Sequence, residues 1–122
     1  MTKLSFVIPC YNSEHTIGTV VDEVIDTVTN HGGYDYEIIL INDSSPDNVF
    51  SVITDMAEKN SRIKGIDLAR NFGQHSAIMA GFHYVTGDVV VCLDDDGQTP
   101  ANEMFKLIDA LDENDLVFAK YT

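Results

Sequence analysis

Four short apolar runs constrain this chain more than any other feature. Each is rich in β-branched residues, and each leads through a polar loop toward residues at helical spacing. The runs are Leu4-Ser5-Phe6-Val7-Ile8, Tyr36-Glu37-Ile38-Ile39-Leu40-Ile41, Ile63-Lys64-Gly65-Ile66-Asp67-Leu68 and Val89-Val90-Val91-Cys92-Leu93. The last shows no period-2 alternation, the pattern of a strand covered on both faces in a parallel sheet. Between the runs, Ile17, Val20, Val21, Val24, Ile25 and Val28 recur along one helix face. Val49, Phe50, Ile53, Met56 and Ala57 do the same in a second helix, and Ala77, Ile78, Gly81, Phe82 and Val85 in a third. Strand and helix alternating in this way predict an α/β fold: a mostly parallel sheet, right-handed crossovers and helices on both faces.

The punctuation residues set expected boundaries. Pro9 should stop the first strand. Ser13 should cap the first helix, with Glu14 suited to its positive end, and Gly32-Gly33 should terminate it. Ser45 should cap the second helix, with Pro46 at its first position. The Ala and Gly content of the third helix implies close packing on the sheet. After Pro100, Met104, Leu107, Ile108 and Leu111 suggest a short helix, and Asp115-Leu116-Val117-Phe118-Ala119 a fifth strand. Residues 1–122 have the length of one domain with a real core, and no internal repeat, linker or low-complexity segment divides them.

The net charge is −13, from 20 acidic and 7 basic residues. A chain so acidic is not built to bind nucleic acid or to adhere to anionic lipid by charge. An anionic ligand here is expected to bring a cation with it. The cysteines, Cys10 and Cys92, have no metal-ligand spacing and read as buried free thiols in a reducing compartment. With no signal peptide and no apolar run of membrane length, the expected location is the cytosol or the cytosolic face of a membrane.

The loops that follow the four runs hold the chemistry. They carry Tyr11, Asn12 and Glu14; Asn42, Asp43 and Ser44; Arg70, Asn71 and Gln74; and Asp94, Asp95, Asp96 and Gln98. In a parallel sheet these all fall on the carboxyl edge, where open α/β sheets bind ligands. The loops of the opposite edge, His31 to Asp35 and Lys59 to Arg62, show no comparable grouping. At about 4 Å and an effective dielectric near 20, each like-charge pair in the Asp94-Asp95-Asp96 run costs on the order of 4 kcal/mol. Good solvation or a hard cation relieves that repulsion, and Mg²⁺ and Mn²⁺ favour such oxygen donors, often shared with a phosphate. Neither Gly-x-Gly-x-x-Gly nor the P-loop motif occurs, which argues against a dinucleotide cofactor and against P-loop chemistry. His15, His31, His75 and His83 lack paired metal spacing; only His75 falls near the expected pocket.

Taken together, these loops resemble family 2 glycosyltransferases of the Rossmann-like GT-A nucleotide-sugar fold. Within that family the likeness is to the polyprenyl-phosphate sugar transferases of the dolichol-phosphate mannosyltransferase type. The matching stretches, in family order, are Phe6-Val7-Ile8-Pro9-Cys10-Tyr11-Asn12-Ser13-Glu14, Leu40-Ile41-Asn42-Asp43-Ser44-Ser45-Pro46-Asp47, Ala69-Arg70-Asn71-Phe72-Gly73-Gln74 with Ala80-Gly81, and Gly87-Asp88 through Leu93-Asp94-Asp95-Asp96-Gly97-Gln98-Thr99-Pro100.

The resemblance implies a site. Pro9, Tyr11 and Glu14 would shape the nucleoside pocket, Asp43 would hydrogen-bond the base, and Asn12, Asn71 and Gln74 would also bind substrate. Asp94 and Asp95 would lie near the ribose and diphosphate. Asp96 and Gln98, with Asp94, would hold Mg²⁺ or Mn²⁺. The implied reaction is inverting transfer of a sugar from a UDP- or GDP-linked donor to a polyprenyl phosphate or a growing glycan. Homo-oligomerisation is compatible with this reading.

The chain departs from the family in three places: Asn42-Asp43-Ser44-Ser45 replaces Asp-Asp-Gly-Ser, and Asp95 and Gly97 stand where Ala and Leu are commonest. Family members also continue past Thr122 with acceptor-side parts, so the chain is expected to be the donor-binding part of a longer enzyme. No catalytic base is assigned within it. Two other readings remain at this stage: a fragment that binds nucleotide without transferring sugar, and a haloacid-dehalogenase-type phosphatase with Asp94 as nucleophile.

Overall fold

The computed structural model describes residues 2–68, 74–93 and 95, with the side chains of Gln74 and His75 left out. Seven elements follow in order: β1 (Thr2–Cys10), α1 (Ile17–His31), β2 (Tyr34–Asn42), α2 (Val49–Lys59), β3 (Ile63–Asp67), α3 (Gln74–Phe82) and β4 (Val89–Cys92). The four strands form one sheet in the order β3-β2-β1-β4, and every pairing is parallel. The alternation of the sequence is thus realised, and the helix and fifth strand expected after Pro100 lie outside the described residues.

The two faces of the sheet separate by strand parity. Leu4, Phe6, Ile8 and Cys10 join Ile38 and Leu40 under α1 and α2, in a core with Ile17, Val20, Val24 and Ile53. Val7, Ile39, Ile41, Val90 and Cys92 point the other way and pack with Ala77 and Ile78 of α3. Helices therefore cover both faces, which explains the unbroken apolar composition of the strands. On the α3 face the approach is close: a Cβ on Gly81 would stand 2.6 Å from a methyl of Val7 and 2.9 Å from one of Ile41. The close packing expected from the Ala and Gly content of this helix is present.

Several boundaries differ from expectation. Pro9 does not stop β1; it is buried inside the strand and in register with Ile41. Backbone parity explains why. The carbonyls of Lys3 and Val7 accept from Asp88 and Leu93 on the β4 side, whereas that of Cys10 accepts from Asp43 on the β2 side. Pro9 shares the parity of Lys3 and Val7, so its missing N–H faces the β4 side. There the ladder ends at the Val7–Cys92 pair, as it must where the next parallel rung would need an N–H from Pro9.

Ser13 does not cap α1 with its side chain. The helix starts four residues later, and it is the Ser13 carbonyl that accepts from the amides of Thr16 and Ile17. Ser45 and Pro46 likewise precede α2 rather than open it; Asn48 occupies its N-cap position. Gly32 and Gly33 do end α1, with φ of 72° and 88° that a residue with a Cβ adopts at a cost. Val85, expected within the third helix, lies beyond its end but still packs on the α3-side core.

The carboxyl edge contains the place where the strand order reverses. From β1 the chain moves outward through β2 to β3, then returns to place β4 on the other side of β1. The crevice between the ends of β1 and β4 is the topological switch point, the preferred ligand position of open α/β sheets.

Candidate functional site

Among the described residues, the loops after β1 and β2 and Asp95 beyond β4 meet at this edge. The loop after β1 begins with Tyr11, 46% exposed despite its aromatic ring. Asn12 follows with a left-handed φ of 55°, and Ser44 in the loop after β2 has φ of 53°. Two non-glycine residues in that region, one in each of two adjacent loops, mark backbone held in place by its surroundings.

Hydrogen bonds between loops do the holding. Toward β4, the Tyr11 amide donates to Asp95 Oδ2 at 2.9 Å, and the Thr16 hydroxyl donates to the Asp95 carbonyl at 2.9 Å. Toward β2, the Asn12 amide donates to Ser45 Oγ at 2.8 Å and the Glu14 amide to Asp47 Oδ2 at 3.1 Å. Asp47 Oδ1 also accepts from the Ser45 hydroxyl and from the Val49 amide. Burial acts to raise the Asp47 carboxyl, but the bonds from Ser45, Glu14 and Val49 outweigh it and hold it below the usual carboxylate range. Asn42 braces the base of its loop, accepting from the Ser45 amide and donating to Asp67 on β3.

The sequence-derived residues fall as follows. Pro9 is buried at the end of β1, Tyr11 and Asn12 are exposed at the crevice, and Glu14 is half-buried beside Asp47. Asp43 is buried at 4% exposure, and its amide donates to the Cys10 carbonyl, which places it directly beside the Tyr11 loop. Asp95 bridges to that loop from β4. These six come together on one edge. Asn71, Asp94, Asp96 and Gln98 lie outside the described residues; Gln74 opens α3, and its side chain is not described. Among the described residues no group of three or more His, Cys, Asp or Glu stands ready to hold a metal ion.

Ser45 and Asp47 are the members that sequence reasoning missed. Ser45 was legible only as a helix cap, and Asp47 two residues before the apolar stripe of α2 was the available signal of a loop-bracing acid. Both cysteines are free and buried. Burial, and then the charge of Asp95, push the Cys10 thiol far up, and burial raises Cys92 to about 11, so neither is a nucleophile at neutral pH.

The arrangement has a chemical consequence. The amides of Tyr11, Asn12 and Glu14 are occupied by side chains of neighbouring loops, so they form no cradle for phosphate. The described Lys and Arg side chains, Lys3, Lys59, Arg62 and Lys64, belong to the opposite edge. The carboxylates and the carboxamide at 94, 96 and 98 are hard oxygen donors of the type Mg²⁺ and Mn²⁺ take.

The opposite edge is also richer than its loops suggest. A polar groove of about 290 Å³ is lined there by Lys3, Asp35, Tyr36, Glu37, Ser61, Arg62 and Lys64. These residues come from the first turns of three strands, not from the loops alone, which is why a reading confined to the loops finds no grouping.

A parallel β3-β2-β1-β4 sheet with its polar loops gathered at the switch point is the architecture of nucleotide-sugar-binding GT-A domains, and solved structures agree. The chain is similar to a mannosyltransferase from Pyrobaculum calidifontis in complex with GDP-Man and Mn²⁺, with a TM-score of 0.64 and 21% identity over 89% of this chain and 33% of that one. It is similar also to S. aureus TarS 1–349 in complex with UDP-GlcNAc, with a TM-score of 0.66 and 21% identity over 88% of this chain and 31% of that one. The glycosyl transferase family 2 model matches residues 5–122, and the chain belongs to that family. The chain is 43% identical over 112 residues to undecaprenyl-phosphate 4-deoxy-4-formamido-L-arabinose transferase of Klebsiella pneumoniae (strain 342), covering 91% of this chain and 34% of that protein. It thus spans about a third of the length of this relative. Membership in family 2 sets aside the phosphatase reading of Asp94.

Proposed function

We propose that the protein transfers a sugar from a nucleoside diphosphate sugar to a polyprenyl phosphate, with inversion at the anomeric carbon, and that this chain supplies the donor site. The observation that carries the reading is the meeting of the β1 and β2 loops with Asp95 at the switch point, with Tyr11, Asp43 and Asp95 close together. The 43% identity to a protein named for undecaprenyl phosphate supports the acceptor class. In this reading the nucleoside lies against Tyr11, Pro9 and Glu14, and Asp43 hydrogen-bonds the base. Asn12, Asn71, Gln74 and Asp94 complete the donor pocket.

Asp94, Asp96 and Gln98 would hold Mg²⁺ or Mn²⁺, which supplies Lewis-acid neutralisation of the departing nucleoside diphosphate. A phosphate acceptor is already anionic, so no general base need be built into this part. The whole protein would work at the cytosolic face of a membrane, where such an acceptor presents its phosphate; among the described residues no helix is long and apolar enough to cross one. Incubating the whole protein with radiolabelled UDP- and GDP-sugars and undecaprenyl phosphate tests this. The expected result is a metal-dependent glycolipid of inverted configuration; a product of retained configuration, or no product with any donor, contradicts it.

A further inference from the structure

Asp95 bridges the crevice between β1 and β4 through two different atoms. Its carboxylate takes the Tyr11 amide at 2.9 Å, and its backbone carbonyl takes the Thr16 hydroxyl at 2.9 Å. Tyr11 and Thr16 bracket the loop that links β1 to α1, so one residue secures both ends of that loop. The other side of the loop is secured by Ser45 and Asp47. Removing the Asp95 side chain would therefore release the Tyr11 end of the loop, while the carbonyl contact to Thr16 and the bonds on the β2 side remain.

We propose that Asp95 is a positioning residue. It fixes the loop that carries Tyr11 against the end of β4, and it does so as a hydrogen-bond acceptor. The consequence for the donor site rests on the reading given above; the bridge itself does not.

An acceptor role separates two substitutions. Asp95→Asn keeps a carbonyl oxygen for the Tyr11 amide and loses only the charge. Asp95→Ala removes the acceptor. In hydrogen–deuterium exchange resolved at the Tyr11 amide of the whole protein, Asp95→Ala should accelerate exchange about tenfold or more, the equivalent of one lost hydrogen bond. Asp95→Asn should stay within about threefold of the parent. An unchanged Tyr11 amide in Asp95→Ala would overturn the proposal, as would a Tyr11 amide that exchanges as fast in Asp95→Asn as in Asp95→Ala. If the parent itself bound no nucleotide, the donor-site reading would fall, and the exchange measurement would still decide the bridge.

Discussion

The Lys64 ammonium lies 2.8 Å from Oε1 of Glu37, a carboxylate only 2% exposed at the edge of the sheet opposite the candidate site. Glu37 Oε2 accepts from the Ser5 hydroxyl and the Thr86 amide, both at 2.6 Å, and Lys3 stands 3.8 Å away. One side chain thus ties together β1, β2, β3 and the turn that leads into β4. A buried carboxylate is tolerated because its lone pairs are filled.

Burial works to raise the Glu37 carboxyl, but the bonds from Lys64, Ser5 and Thr86 prevail and hold it down, at about 2. The folded-state value lies below the unfolded one, so its contribution is present above the ordinary Glu range and is lost as pH falls toward 2. Glu37→Gln should cost about 2–3 kcal/mol at neutral pH, with the deficit shrinking as acid is added. Denaturant unfolding at pH 7 and at pH 3 measures both; an equal deficit at the two values would refute the linkage.

Gly81 is a second point of tension. A methyl group there meets Val7 and Ile41 in the tightest part of the α3 face. Gly81→Ala should therefore destabilise by about 1–3 kcal/mol, against the usual gain of Ala in a helix. A Tm equal to or above the parent's would show that α3 can shift away from the sheet at no cost.

Ser44 tests the backbone at the site. It is exposed and has φ of 53°, so its side chain contributes little while its conformation is restrictive. Ser44→Val should destabilise by about 1–2 kcal/mol, whereas Ser44→Gly should stay within about 0.5 kcal/mol. Equal midpoints for the two variants in chemical denaturation would mean that this loop relaxes freely.

Asp47 links the loop after β1 to the start of α2. Asp47→Ala frees the amides of Glu14 and Val49 and the Ser45 hydroxyl together. The expected loss is about 1–3 kcal/mol of stability. Its carboxyl is held low, so the loss should be full above the ordinary Asp range and fade in acid. Calorimetric scans across pH 3 to 7 check the trend; a loss that grows in acid would contradict it.

The sheet and its helices were legible because burial on two faces leaves a plain signal: β-branched runs such as Ile38 to Ile41 and a helical stripe such as Ile17 to Val28. The carboxyl-edge grouping was legible for the same reason, since parallel connectivity sends every strand-to-helix loop to one edge. What escaped was parity and side-chain traffic between loops. Pro9 reads as a strand breaker unless the side its N–H would face is known. Ser13 and Ser45 read as caps, although one contributes its carbonyl and the other accepts from Asn12 across 33 residues. Glu37 sits in an apolar run without distinction, and only the fold brings Ser5, Lys64 and Thr86 around it.

In the function proposed above, a nucleoside diphosphate would enter the crevice between β1 and β4 only with a divalent cation. Isothermal titration of the protein with UDP and with GDP, with Mn²⁺ and then with excess chelator, tests it most directly. The account predicts saturable binding of one of the two nucleotides in Mn²⁺, weakened about tenfold or more by the chelator and weakened up to the same degree in Asp96→Asn. Equal affinity with and without metal, or no binding of either nucleotide, would contradict it.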